Sequence, residues 1–151
     1  MKKTFAVCLC SLIGALSIAQ NPIITTAYTP DPAPFVYGDT LYMFTGHDED
    51  DATYFKMNDW MVYSTEDMVN WTYLGTPVTT ATFEWAFQGD RAWASQAVER
   101  DGKWYWYVCL TEAATNADAL AVAVADDPQG PYRDAIGGPL ANAARRLGMH
   151  V

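Results

Sequence analysis

One pattern constrains this chain more than any other: a pair of hairpins written twice, 61 to 63 residues apart. Phe35–Phe44 reads F-V-Y-G-D-T-L-Y-M-F, and Ala97–Val108 reads A-V-E-R-D-G-K-W-Y-W-Y-V. In each, β-branched and aromatic residues flank a two-residue turn signal, Gly38-Asp39 in one and Asp101-Gly102 in the other; that is the local signature of a β-hairpin. A second hairpin follows each first one. Met61–Ser64 passes through a polar turn to Trp71, and Ala121–Ala125 passes through another to Tyr132. Two hairpins make four strands, and a repeated four-stranded unit is a propeller blade, here longer than the common repeats of roughly 40–50 residues. No stretch beyond the N-terminal leader carries a capped apolar stripe of helical period. The predicted class is all-β.

Composition agrees with a folded, strand-rich domain. Half of the residues are hydrophobic and 14% are aromatic, enough to build a core and uncharacteristic of disorder. Nine basic residues stand against 18 acidic ones, a net charge of −9. That balance argues against a nucleic-acid partner, which needs clustered Lys and Arg. It also argues against a polybasic membrane-surface protein.

The first residues read as a leader. Lys2 and Lys3 precede an apolar run from Phe5 to Ile18, too short to span a bilayer, which takes roughly 20 residues. Ser17 and Ala19 suit cleavage before Gln20. Residues 1–19 are therefore expected to be a signal peptide, and the protein to be secreted or periplasmic. Cys8 and Cys10 leave with the leader; Cys109 alone remains, which excludes an intramolecular disulfide framework or a cysteine-based zinc site in the mature chain. Within the apolar strand Trp104–Leu110, Cys109 is expected to be a buried, inert thiol. Residues 20–140 hold two repeats, whereas propellers close with four to eight blades. Residues 141–151 lose the strand pattern and are expected to be an atypical, out-of-frame tail. The expected architecture is thus a propeller truncated to about its first two four-stranded blades.

No nucleophile elbow, P-loop, dinucleotide fingerprint or H-E-x-x-H motif is present. With only His47 and His150, neither a histidine-based triad nor a multi-histidine metal site is expected. Carboxylates and aromatics remain, the residue types of glycan hydrolysis. Asp31, in T-P-D-P-A-P just before the first strand, is held by flanking prolines and would suit a general base on water. Asp beside Pro is also ordinary turn chemistry, and the residues alone leave both readings open.

T-P-D-P-A-P-F-V-Y-G-D-T-L-Y-M-F-T-G-H-D-E, then M-V-Y-S-T-E-D-M-V-N-W-T-Y-L-G, A-W-A-S-Q-A-V-E-R-D-G-K-W-Y-W-Y-V and A-V-A-V-A-D-D-P-Q-G-P-Y-R-D-A-I-G-G-P-L together resemble glycoside hydrolase family 43. These are the five-bladed propeller arabinofuranosidases and xylosidases, and the four motifs fall in family order from Ile23 to Leu140. The resemblance implies an inverting glycosidase acting on plant polysaccharide such as arabinoxylan, arabinan or xylan. It implies Asp31 as the general base and Trp93 as a sugar-stacking residue, a position that equally suits a core aromatic, with His47 and Asp48 facing the pocket from the first blade. It also implies an Asp and a general-acid Glu in later blades, without counterparts here, so this chain by itself is expected to be inactive. No cofactor and no catalytic metal are implied; a structural calcium in the full-length enzyme stays open. The H-D-E-D-D run lacks the D-x-D-x-D-G spacing of a calcium loop, and such an acidic run is more often a solvated loop than a site. Two alternatives stand beside this reading. One is a non-catalytic carbohydrate-binding module using exposed aromatics. The other is a related fructan-active enzyme, whose first-blade N-D-P-N-G pattern is missing, since Asn58-Asp59-Trp60 is no substitute for it.

Overall fold

A computed structural model of the chain describes residues 22–142. The leader and residues 143–151 of the tail lie outside the described residues. Four antiparallel strands form the first sheet in chain order: β1 (Ala33–Tyr37), β2 (Thr40–Asp48), β3 (Met57–Thr65) and β4 (Thr72–Thr79). A short 3-10 turn at Thr80–Thr82, capped reciprocally by Thr79 and Thr82, opens the connection to the second sheet. That sheet runs β5 (Ser95–Arg100), β6 (Lys103–Glu112), β7 (Ala117–Ala125) and β8 (Arg133–Asp134). The expected turns fall where the sequence put them: Tyr37 pairs with Thr40 around Gly38-Asp39, and Arg100 with Lys103 around Asp101-Gly102. Asp101, Gly102 and Gly38 all have positive φ, as tight hairpins matching strand twist require.

The second sheet corrects the expected end of the strand pattern. Ala141–Asn142 forms β9 and pairs with Ala119 and Leu120 of β7, while β8 pairs farther along at Ala123 and Val124. Since β6 occupies the other side of β7 along its whole length, β8 and β9 share the fourth strand position. A two-residue strand is too short to show a period of two, so pairing rather than pattern reveals it.

The core lies between the two sheets. From Lys103 to Leu110 burial alternates along β6: Trp104, Trp106, Val108 and Leu110 face inward. Directly opposite on β7 stand Ala125, Ala123, Ala121 and Ala119, so each large side chain has a small cross-strand neighbour and the layer fills without clash. Phe35, Tyr37 and Tyr42 from the first sheet meet the Trp104 ring edge-on at 5.3–5.4 Å, and Phe44 meets Trp106 at 4.8 Å. Aromatic pairs in this geometry contribute beyond their buried area. The same alternation overturns the expectation for Cys109, which is exposed. It falls between the inward Val108 and Leu110 and so points to the opposite face. Among the described residues, no helix is long and apolar enough to cross a membrane.

Candidate active site

The start of β1, the end of β2, the start of β3 and the start of β5 meet at one end of the two sheets. The segment before β1 is strapped onto β2 there. Gly46 N–H donates to the Pro30 carbonyl at 3.0 Å, and Asp48 N–H to the Tyr28 carbonyl at 3.2 Å. Gly46 is required for this approach: a Cβ there would collide with the Met57 methyl and come within 3.3 Å of the Pro30 ring. Asp31 follows immediately, exposed and with φ +52°. Asp tolerates this left-handed region better than most residues, but a following proline disfavours helical backbone at the residue before it. The strap holds a conformation the isolated peptide would rarely adopt.

His47 and Asp48 stand beside this strap at the end of β2. His47 Nδ1 lies 2.9 Å from Asp59 Oδ1 on β3, and each of the two side chains is about one-fifth exposed. Burial pushes the Asp59 carboxyl above its ordinary range, partly offset by the hydrogen bond and charge of His47. Glu49 joins them: its carboxylate accepts from Asn58 Nδ2 at 2.5 Å. Asp48 Oδ1 is buried and has no hydrogen-bond partner.

Trp93 reaches the same end from the second sheet. Its N–H donates to the Cys109 carbonyl at 2.9 Å, and its carbonyl accepts from Trp60 Nε1 at 2.6 Å. Ala92 N–H donates to the Met57 carbonyl at 2.9 Å. The side chain is half-buried against the inter-sheet core, leaving part of the indole at the surface. Asp31, His47, Asp48 and Trp93 therefore lie at the same end of the two sheets through backbone contacts. Sequence reading missed Asp59, Glu49 and Asn58. Only the β2–β3 register, Gly46 opposite Trp60 and Asp48 opposite Met57, places them beside His47.

A carboxylate held by the strap, at the same end of the sheets as a half-buried indole, suits proton transfer to or from water next to a flat, polyhydroxylated ligand. Two four-stranded antiparallel sheets define the class, an all-β chain, and comparison with known proteins supplies the family. The family model "Glycosyl hydrolases family 43" matches residues 19–147, and the chain belongs to that family. It is 32% identical over 112 residues to a xylosidase/arabinosidase of Bacteroides ovatus, covering 70% of this chain and 34% of that protein. It is 32% identical to an extracellular endo-alpha-(1->5)-L-arabinanase of Bacillus subtilis, covering 87% and 30%. The fold superposes on a GH43_1 enzyme of Xanthomonas citri, crystallised with xylotriose, with a TM-score of 0.71 and 32% identity over 80% of this chain and 35% of that one. The chain spans about a third of the length of these relatives.

Proposed function

We propose that these two sheets are the first two blades of a five-bladed, secreted glycoside hydrolase that releases arabinose or xylose units from arabinan, arabinoxylan or xylan with inversion, and that Asp31 is its general base. The observation that carries this reading is the Asp31 strap: a carboxylate fixed between two prolines, in left-handed backbone, at the mouth where β1 begins. The relatives' names support the substrate class, being xylosidases, arabinosidases and arabinanases, and two of the arabinanases are named extracellular. Trp93 supplies a stacking face; His47 and Asp48 wall the subsite. Inversion needs an acid and a base carboxyl about 6.5–9.5 Å apart with water between them. The acid belongs to a later blade, so these two sheets alone perform no turnover.

Proton NMR of the first-formed anomer tests the mechanism, using the full-length gene product on arabino- and xylo-oligosaccharides. Inverted product is expected; retained configuration would mean that Asp31 does not activate water directly. Tyr54 and Phe55, exposed on the β2–β3 loop, favour a second reading, a non-catalytic carbohydrate-binding module. Saturable binding of xylan or arabinan without sugar release would establish that reading instead.

A further inference from the structure

We propose that His47, Glu49 and Asp59 form a binding site for a borderline divalent transition-metal ion, Zn2+ being the natural probe. Their ligand atoms all lie within 4.8 Å of one another, and all three residues are half-buried. His47 lies on β2 at an irregularity in its pairing with β3, which carries Asp59, and Glu49 follows β2 directly, its N–H donating to the Lys56 carbonyl at 3.0 Å, so small side-chain rotations rather than backbone motion would bring the donors to the roughly 2.0–2.2 Å that zinc requires. An independent observation points to a missing ligand. Asn58 donates its amide to Glu49, yet its Oδ1 is buried with no partner. The oxygen is one amide group away from the Glu49 carboxylate, and a water can complete the four donors that zinc takes. Buried acceptors without partners are uncommon and call for an explanation such as an ion.

The donor set selects the class of metal. One imidazole nitrogen with two carboxylates suits Zn2+ and its neighbours, whereas Ca2+ takes six to eight oxygens. A cleft of about 360 Å³ lined by His47, Glu49, Asp50, Asp51, Ala52 and Lys56 gives access from solvent. Asp50 and Asp51 add attraction for a cation, and Lys56 is the one positive charge lining the cleft.

The test is isothermal titration of the metal-stripped 151-residue chain with Zn2+, its thiols blocked and His150→Ala in the background. One-to-one binding is expected, with His47→Gln and Glu49→Gln each weakening it by about tenfold or more, and hundredfold excess Ca2+ failing to compete. Circular dichroism monitors the fold of each variant. A measurement without substitution reads the same ligand: Zn2+ should protect His47 from diethylpyrocarbonate in the unsubstituted chain while leaving His150 reactive. Absence of saturable binding, or binding with His47 still reactive, would overturn the proposal.

Discussion

Asp31 owes its place to residues that do no chemistry. Gly46 lets the Pro30 carbonyl close onto β2 at hydrogen-bond distance, and the two prolines leave Asp31 little freedom. Gly46→Ala would push aside the flexible Met57 methyl and press on the Pro30 ring, shifting the strap slightly. Overpacking of this kind costs about 1–3 kcal/mol. Chemical denaturation of the chain should show that loss, and turnover of the full-length protein should fall with it because Asp31 moves. Asp67 illustrates a local device of another kind. Its exposed carboxylate accepts from the N–H groups of Asn70 and Val69 at 2.7 and 2.8 Å and from Asn70 Nδ2 at 2.7 Å, closing the β3–β4 turn. Those bonds, Asn70's first, hold its carboxyl well below the usual range. Because the folded value is depressed, the stabilisation is present above the unfolded carboxylate range and fades as pH falls through and below it. Asp67→Asn should lower the thermal midpoint at neutral pH and flatten the acid limb of the stability curve. An unchanged acid limb would mean that other carboxylates dominate it.

At the scale of elements, β6 and β7 hold the two sheets together through their large–small pairing. Trp106 is fully buried against Phe44 and Tyr132, with its Nε1–H donated to Ser95 Oγ at 2.9 Å. Trp106→Ala should cost about 3–5 kcal/mol by cavity formation, and Ser95→Ala about 1–3 kcal/mol, by leaving the indole N–H unpaired. Urea denaturation followed by tryptophan fluorescence reads both. These elements were legible because their signals are local: two-residue turns at Gly38-Asp39 and Asp101-Gly102, and aromatic runs on either side. What the sequence left hidden depends on register. Cys109 sits in an apolar run yet faces outward, because period-two geometry, not the composition of the run, decides its face. β9 carries no pattern of its own and exists by pairing with β7. Asp59 read as part of a failed motif; its meaning as His47's partner follows from strand alignment across 12 residues.

Across the whole molecule, the core and the mouth are consequences of one arrangement. Large side chains lock β6 and β7 against the first sheet, while the connection between the sheets bonds back through Ala92 and Trp93 to Met57 and Trp60. That connection fixes Trp93 relative to the strap that carries Asp31. The candidate site was half legible in sequence. Asp31 stands out through its prolines and Trp93 through its motif, whereas Glu49, Asn58 and Asp59 are joined to them only by the fold. The central claim is that Asp31 activates water in a family-43 hydrolase, and kcat/KM of the full-length Asp31→Ala variant on an aryl arabinofuranoside or xyloside tests it most directly. A fall of about 10²–10⁴-fold, with the fold retained by circular dichroism, is the result expected for loss of a general base. Turnover within about threefold of the unsubstituted enzyme, far short of what such a base contributes, would contradict it.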